Sequence, residues 1–179
     1  EGHGWWPYLL PYVSFLAIVE VSRRLPEAWA APMLFVKPLV PLLLLAWFWR
    51  CGRYPELSVG RASLTGTLMD VGIGFGLCLM WMAPYVFIDA RRPCPAESFV
   101  RNLRGEDFSW LTLAVRMFGY ALVTPLFEEL FIRSFVMRYA VVYKQRGDFR
   151  LVPLATYTLG SFITTIVVFS LGHVPWEWW

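Results

Sequence analysis

The sequence predicts an all-α protein, a polytopic bundle of transmembrane helices with about five spans. Two observations carry that prediction. Hydrophobic residues make up 58% of the 179 positions and charged residues only 16%, against roughly 45–50% and 25% in soluble domains. The apolar residues also come in long blocks separated by short basic stretches. The net charge of +3 calls for no acidic partner, because most of the arginines fall in the connections between blocks, as membrane topology demands. No basic stripe or recognised binding motif supports a nucleic-acid partner.

A spanning helix needs about 20 apolar residues at a rise of 1.5 Å. The first candidate is Trp5 to Val21, ended by Arg23, Arg24 and Pro26. The second, Ala28 to Trp49, holds Pro32, Pro38 and Pro41, with Lys37 as its one charge. Proline removes a helical hydrogen bond, so a kinked or locally open helix is expected here. The third, Gly66 to Ile88, places Gly72 and Gly76 four apart, which predicts a bare face that a neighbouring helix can approach. Asp89 to Asp107 is a polar connection, with a short interfacial helix expected around Ala96 to Leu103.

Ser109 to Tyr143 is a 35-residue apolar stretch interrupted by Pro125. A continuous helix of that length is roughly 50 Å long, beyond a ~30 Å hydrocarbon core. One helix bent at Pro125 is the expectation, over two short segments meeting there. Leu151 to Leu171 is the last span and runs into Gly172 and His173. Lysines and arginines divide equally between the two sides of such a five-span chain, so orientation stays open.

Cys51, Cys78 and Cys94 have neither metal-type spacing nor the even number of a disulfide framework, and Cys78 reads as a small buried hydrophobe. The chain starts at Glu1, closes on Trp178 and Trp179, and shows no signal peptide of the usual three-part form. It reads as one incomplete domain over residues 1–179, with C-terminal helices still to come.

Chemistry concentrates in two places. Residues 128–133 read E-E-L-F-I-R and residues 169–173 read F-S-L-G-H. Charges in hydrocarbon are expensive, by ~2.5–3.5 kcal/mol each at mid-membrane on insertion scales, and persist where they perform a task. On a helix Glu129 and Arg133 are four apart with the acid first, the favoured order for an ion pair. Glu128 is turned by about 100° from Glu129 and pairs less well with Arg133. One carboxylate is then neutralised and the other left to act; a carboxylate sheltered from water gains the basicity that water activation requires. Phe169 precedes His173 by one turn, so the ring and the imidazole share a face. Taken singly, Glu129–Arg133 also reads as a structural clamp, Phe169 as core and His173 as a packing histidine.

Together, T-P-L-F-E-E-L-F-I-R-S at 124–134 and F-S-L-G-H at 169–173 resemble the two first motifs of the CAAX protease and bacteriocin-processing enzymes, a family of intramembrane proteases. The resemblance is specific over residues 109–179; residues 1–108 match only in being hydrophobic. It implies an intramembrane endopeptidase in which Glu128 activates a water, His173 binds or orients that water, and Glu129 and Arg133 brace the site. Phe169 supports His173. The family's third motif, a histidine followed four residues later by asparagine, does not occur before Trp179. The ending H-V-P-W-E-W-W is similar to a bacterial subgroup associated with exosortase-type sorting. The resemblance further implies a multi-pass protein of the bacterial inner membrane, with lipid and a protein or peptide substrate as partners. No cofactor is expected. A divalent metal such as zinc, held by Glu128 and His173, is the alternative, although no H-E-x-x-H is present. Two other functions also fit intramembrane Glu, Arg and His: a transporter or proton relay, and a non-catalytic protein binding a partner helix.

Overall fold

Proline chemistry explains much of how the first helices sit. In the computed structural model, which describes residues 4–57, 63–87, 110–154 and 156–173, α1 runs Trp6–Arg24 with Pro7 in its first turn and Pro11 inside. Pro11 has no N–H to offer the carbonyl four residues back, so Pro7 O is orphaned. The Tyr54 hydroxyl donates to that oxygen at 2.5 Å, in a buried position. A helical defect in α1 thus becomes an anchor for the turn that follows α2.

Helix α2 is Ala30–Arg50, and α3 is Leu64–Phe87. The fourth helix, α4, is continuous over Trp110–Gln145, and α5 is Leu159–Leu171. All described elements are helical, and no strand occurs among the described residues. The chain forms two compact units, Glu1–Leu57 with Phe108–Trp179, and Ser58–Asp107. The motif-bearing helices therefore pack with α1 and α2. The expected interfacial helix around Ala96 to Leu103 lies outside the described residues.

Helix α4 meets the expectation of one long helix, but accommodates Pro125 by widening. Gly119–Val123 is a π-helical turn, directly before the segment that opens with Thr124 and Pro125. The carbonyl that Pro125 cannot serve belongs to Ala121, inside that wide turn, so the strain is absorbed without ending the helix. A second π-helical stretch spans Leu130–Met137 and carries Arg133. At Gly119 a Cβ would sit 3.1 Å from Pro38 Cβ, so α4 touches α2 at that position.

Three expectations are corrected. The last span does not begin at Leu151. Phe149–Leu151 is a separate 3₁₀ turn, and Thr158 caps α5 instead: Ser161 N donates to Thr158 Oγ1 at 3.1 Å, while Thr158 N donates to Ser161 Oγ at 2.8 Å. This reciprocal cap satisfies two orphan amides and fixes the start. Thirteen residues reach about 20 Å, short of a ~30 Å core. Among the described residues two helices, Ala30–Arg50 and Trp110–Gln145, are long and apolar enough to cross a membrane. Second, a Cβ at Gly72 or Gly76 would meet nothing within 4 Å; the close approach falls at Gly119. Third, Cys78 is exposed, as are the other α3 residues from Leu64 to Met80.

The core is aromatic. Tyr8, Tyr54, Phe127 and Phe149 are buried beside Leu45, Val123 and Leu130, with Tyr8 edge-on to both Tyr54 and Phe149 at 5.5 and 5.4 Å. Inside it lies a buried ion pair between Glu56 and Arg138. Tyr8 Oη donates to Glu56 at 2.9 Å, Arg138 Nε donates to Ser134 O at 2.6 Å, and the guanidinium lies over the Phe149 ring at 5.5 Å.

Candidate active site

The first motif sits in the middle of α4, where one turn changes character. Thr124–Glu129 is α-helical and Leu130–Met137 is π-helical. Glu128 is half-buried, whereas the side chains of Glu129 and Arg133 are 55% and 72% exposed. The expected ion pair forms, with Arg133 Nε 2.7 Å from Glu129 Oε2. It stands open to the neighbouring cleft rather than packed in the core. Both side chains line a cleft of about 710 Å³ between α4 and α5, with Phe162, Ile166 and Phe169 on the facing wall.

Glu128 looks elsewhere. Its electrostatic neighbours are His173 and Glu129, and on α1 the phenol of Tyr12. The 100° turn between consecutive helical residues separates the two carboxylates as the sequence implied. Ser134, the small residue after Arg133, is buried at 6% exposure, and its carbonyl receives Arg138.

The second motif closes α5. Gly172 caps the helix, and His173 N donates to Ser170 O at 3.1 Å. The imidazole stacks obliquely on Phe169, centroids 4.3 Å apart, and its Nδ1 is 2.9 Å from Phe169 O. A carbonyl oxygen only accepts, so Nδ1 carries the proton and Nε2 is the ring's acceptor in the neutral form. Phe169 thus fixes His173 twice, by its ring and by its carbonyl.

At Gly172 a side chain from α1 comes near, since a Cβ there would lie 2.7 Å from Tyr12 Oη. Tyr12 in turn stacks on Phe131, centroids 4.3 Å apart and 9° from parallel, and meets Phe127 edge-on at 6.1 Å. Sequence reasoning missed Tyr12, Glu56 and Arg138. Arg138 carries a usable signal, an arginine inside an apolar run; Tyr12 carries none, being one aromatic among several in α1. Among the described residues no group of three or more His, Cys, Asp or Glu side chains gathers as a metal site.

A carboxylate and an imidazole from two apolar helices are thus electrostatic neighbours. Residues 110–179 match the family model described as Rce1-like, type II CAAX prenyl endopeptidase, consistent with the CAAX protease and bacteriocin-processing family that the two motifs resemble. The match starts at the first residue of α4 and includes both motifs. The chain matches no curated protein and no solved structure.

Proposed function

We propose that this chain carries the active centre of an intramembrane endopeptidase that hydrolyses a peptide bond of a lipidated or membrane-associated peptide. Glu128 is the general base that takes a proton from the attacking water. His173, held by Phe169, binds and orients that water, and Glu129 and Arg133 brace the turn that presents Glu128. The observation that carries this reading is that Tyr12 packs against Phe127 and Phe131 beside Glu128 on α4 and also against Gly172 next to His173, so that the two residues, 45 positions apart, are electrostatic neighbours. The family match over the same residues supports it.

The metal-free reading is preferred on the donor set. A catalytic zinc takes three protein ligands plus water, and Glu128 with His173 supplies two. Placement as a multi-pass protein rests on the two long apolar helices together with two shorter apolar ones, Leu64–Met80 and Leu159–Leu171. Placement in a bacterial inner membrane rests on the likeness of the Trp-rich ending.

The test is cleavage of a prenylated C-terminal peptide by the intact protein in proteoliposomes, with products identified by mass spectrometry. The reading expects one new C-terminus and release of the residues beyond it, unaffected by a zinc chelator. An intact peptide, or cleavage abolished by the chelator and restored by zinc, contradicts it.

A further inference from the structure

We propose that Tyr12 is a catalytic residue whose phenolic O–H donates a hydrogen bond to the water that Glu128 activates. This deepens the protease reading and rests on it. Tyr12 lies on α1, far outside residues 110–179 and outside both motifs, so neither the family match nor the sequence pattern assigns it a part.

Geometry puts it there. The residues that flank Glu128 on α4, Phe127 one before and Phe131 three after, are the two rings that Tyr12 packs against. The phenol therefore lies on the face of α4 next to the one that bears Glu128, and Glu128 is its electrostatic neighbour. Its oxygen rests against Gly172, one residue before His173. Three elements, α1, α4 and the end of α5, thus bring a hydroxyl, a carboxylate and an imidazole together. Among the described residues the Tyr12 hydroxyl makes no hydrogen bond, although Tyr12 is half-buried. A half-buried hydroxyl without a protein partner is available for a water or substrate atom.

The chemistry needs such a donor. An ionised carboxylate only accepts, and with Nδ1–H given to Phe169 O the neutral imidazole offers Nε2 as an acceptor. A water held by Glu128 and His173 alone therefore gives both its hydrogens and receives none. The Tyr12 O–H supplies the missing donor, filling one lone pair and leaving the other directed at the scissile carbonyl carbon. In the step itself that lone pair forms the new C–O bond while one water proton moves to Glu128. The C–N bond then breaks, and the proton on Glu128 passes to the departing amine.

The substitution Tyr12→Phe removes one oxygen and keeps the ring that stacks on Phe131. In the proteoliposome assay kcat should fall about a hundredfold, the scale of a single lost donor to a reacting oxygen, with KM and the melting temperature unchanged. A second arm needs no turnover: Gly172→Ala should lower the melting temperature in the native background and leave it unchanged beside Tyr12→Phe, where the oxygen it strikes is gone. Wild-type kcat in Tyr12→Phe, with Glu128→Gln inactive, overturns the role of Tyr12 and leaves the protease standing. No cleavage by the native protein overturns both. A Gly172→Ala effect that Tyr12→Phe does not relieve overturns the placement of the hydroxyl.

Discussion

Glu56 and Arg138 stand 82 positions apart and form an ion pair in which both side chains are buried, at 7% and 5% exposure. Glu56 lies in the turn after α2 and Arg138 on α4 five residues beyond Arg133. Their pairing, with Tyr8 from α1, ties the motif helix to the rest of its unit. The Glu129–Arg133 pair cannot perform that task, because both partners stand on α4 itself.

Arg138→Leu leaves Glu56 buried without its counter-charge. The loss should be about 3–5 kcal/mol, seen as a markedly lower melting temperature in detergent. Adding Glu56→Leu should recover much of it, since a buried pair exchanged for apolar groups is often neutral. A single variant that melts like the native protein would contradict the pairing.

Tyr54→Phe strands the Pro7 carbonyl that Pro11 cannot serve, at a cost of about 1–3 kcal/mol. Burial pushes the Tyr54 phenol above its ordinary value, and the nearby Tyr8 and Glu56 push it the same way. The sign follows from linkage. A phenol raised in the folded state adds stability in full below the unfolded value of about 10, and that stability drains away as pH climbs above it. The native protein should therefore lose melting temperature above about pH 10 more steeply than Tyr54→Phe does. Equal slopes would remove Tyr54 from the account.

Gly119→Val puts a branched side chain where a Cβ already lies 3.1 Å from Pro38. Forced separation of α2 and α4 should cost about 1–3 kcal/mol, the usual penalty of overpacking. Gly72→Val meets open space and should leave stability within about 0.5 kcal/mol, as surface substitutions do. Thermal melts of the two variants side by side check the contrast.

The sequence made the helices legible because their signals are local. Apolar blocks and prolines placed the first three spans at Trp5–Val21, Ala28–Trp49 and Gly66–Ile88, close to the observed Trp6–Arg24, Ala30–Arg50 and Leu64–Phe87. The Glu129–Arg133 pair and the shared face of Phe169 and His173 follow from helical spacing in the same way. The start of α5 was misjudged because hydropathy runs on from Leu151 through the cap at Thr158, and a cap is a hydrogen-bond feature that an apolar average hides. Tyr12, Glu56 and the contact at Gly119 were out of reach for a different reason. Each owes its place to packing between segments far apart in the chain, and spacing along one helix says nothing of that.

The central claim is that Glu128 is the base. Glu128→Gln keeps the shape of the side chain and removes its ability to take a proton. With a prenylated peptide in proteoliposomes, and with folding confirmed by an unchanged melting temperature, turnover should fall by a factor of about 10²–10⁴, the range for general-base catalysis. A Glu128→Gln protein that cleaves the peptide at the native rate contradicts the account.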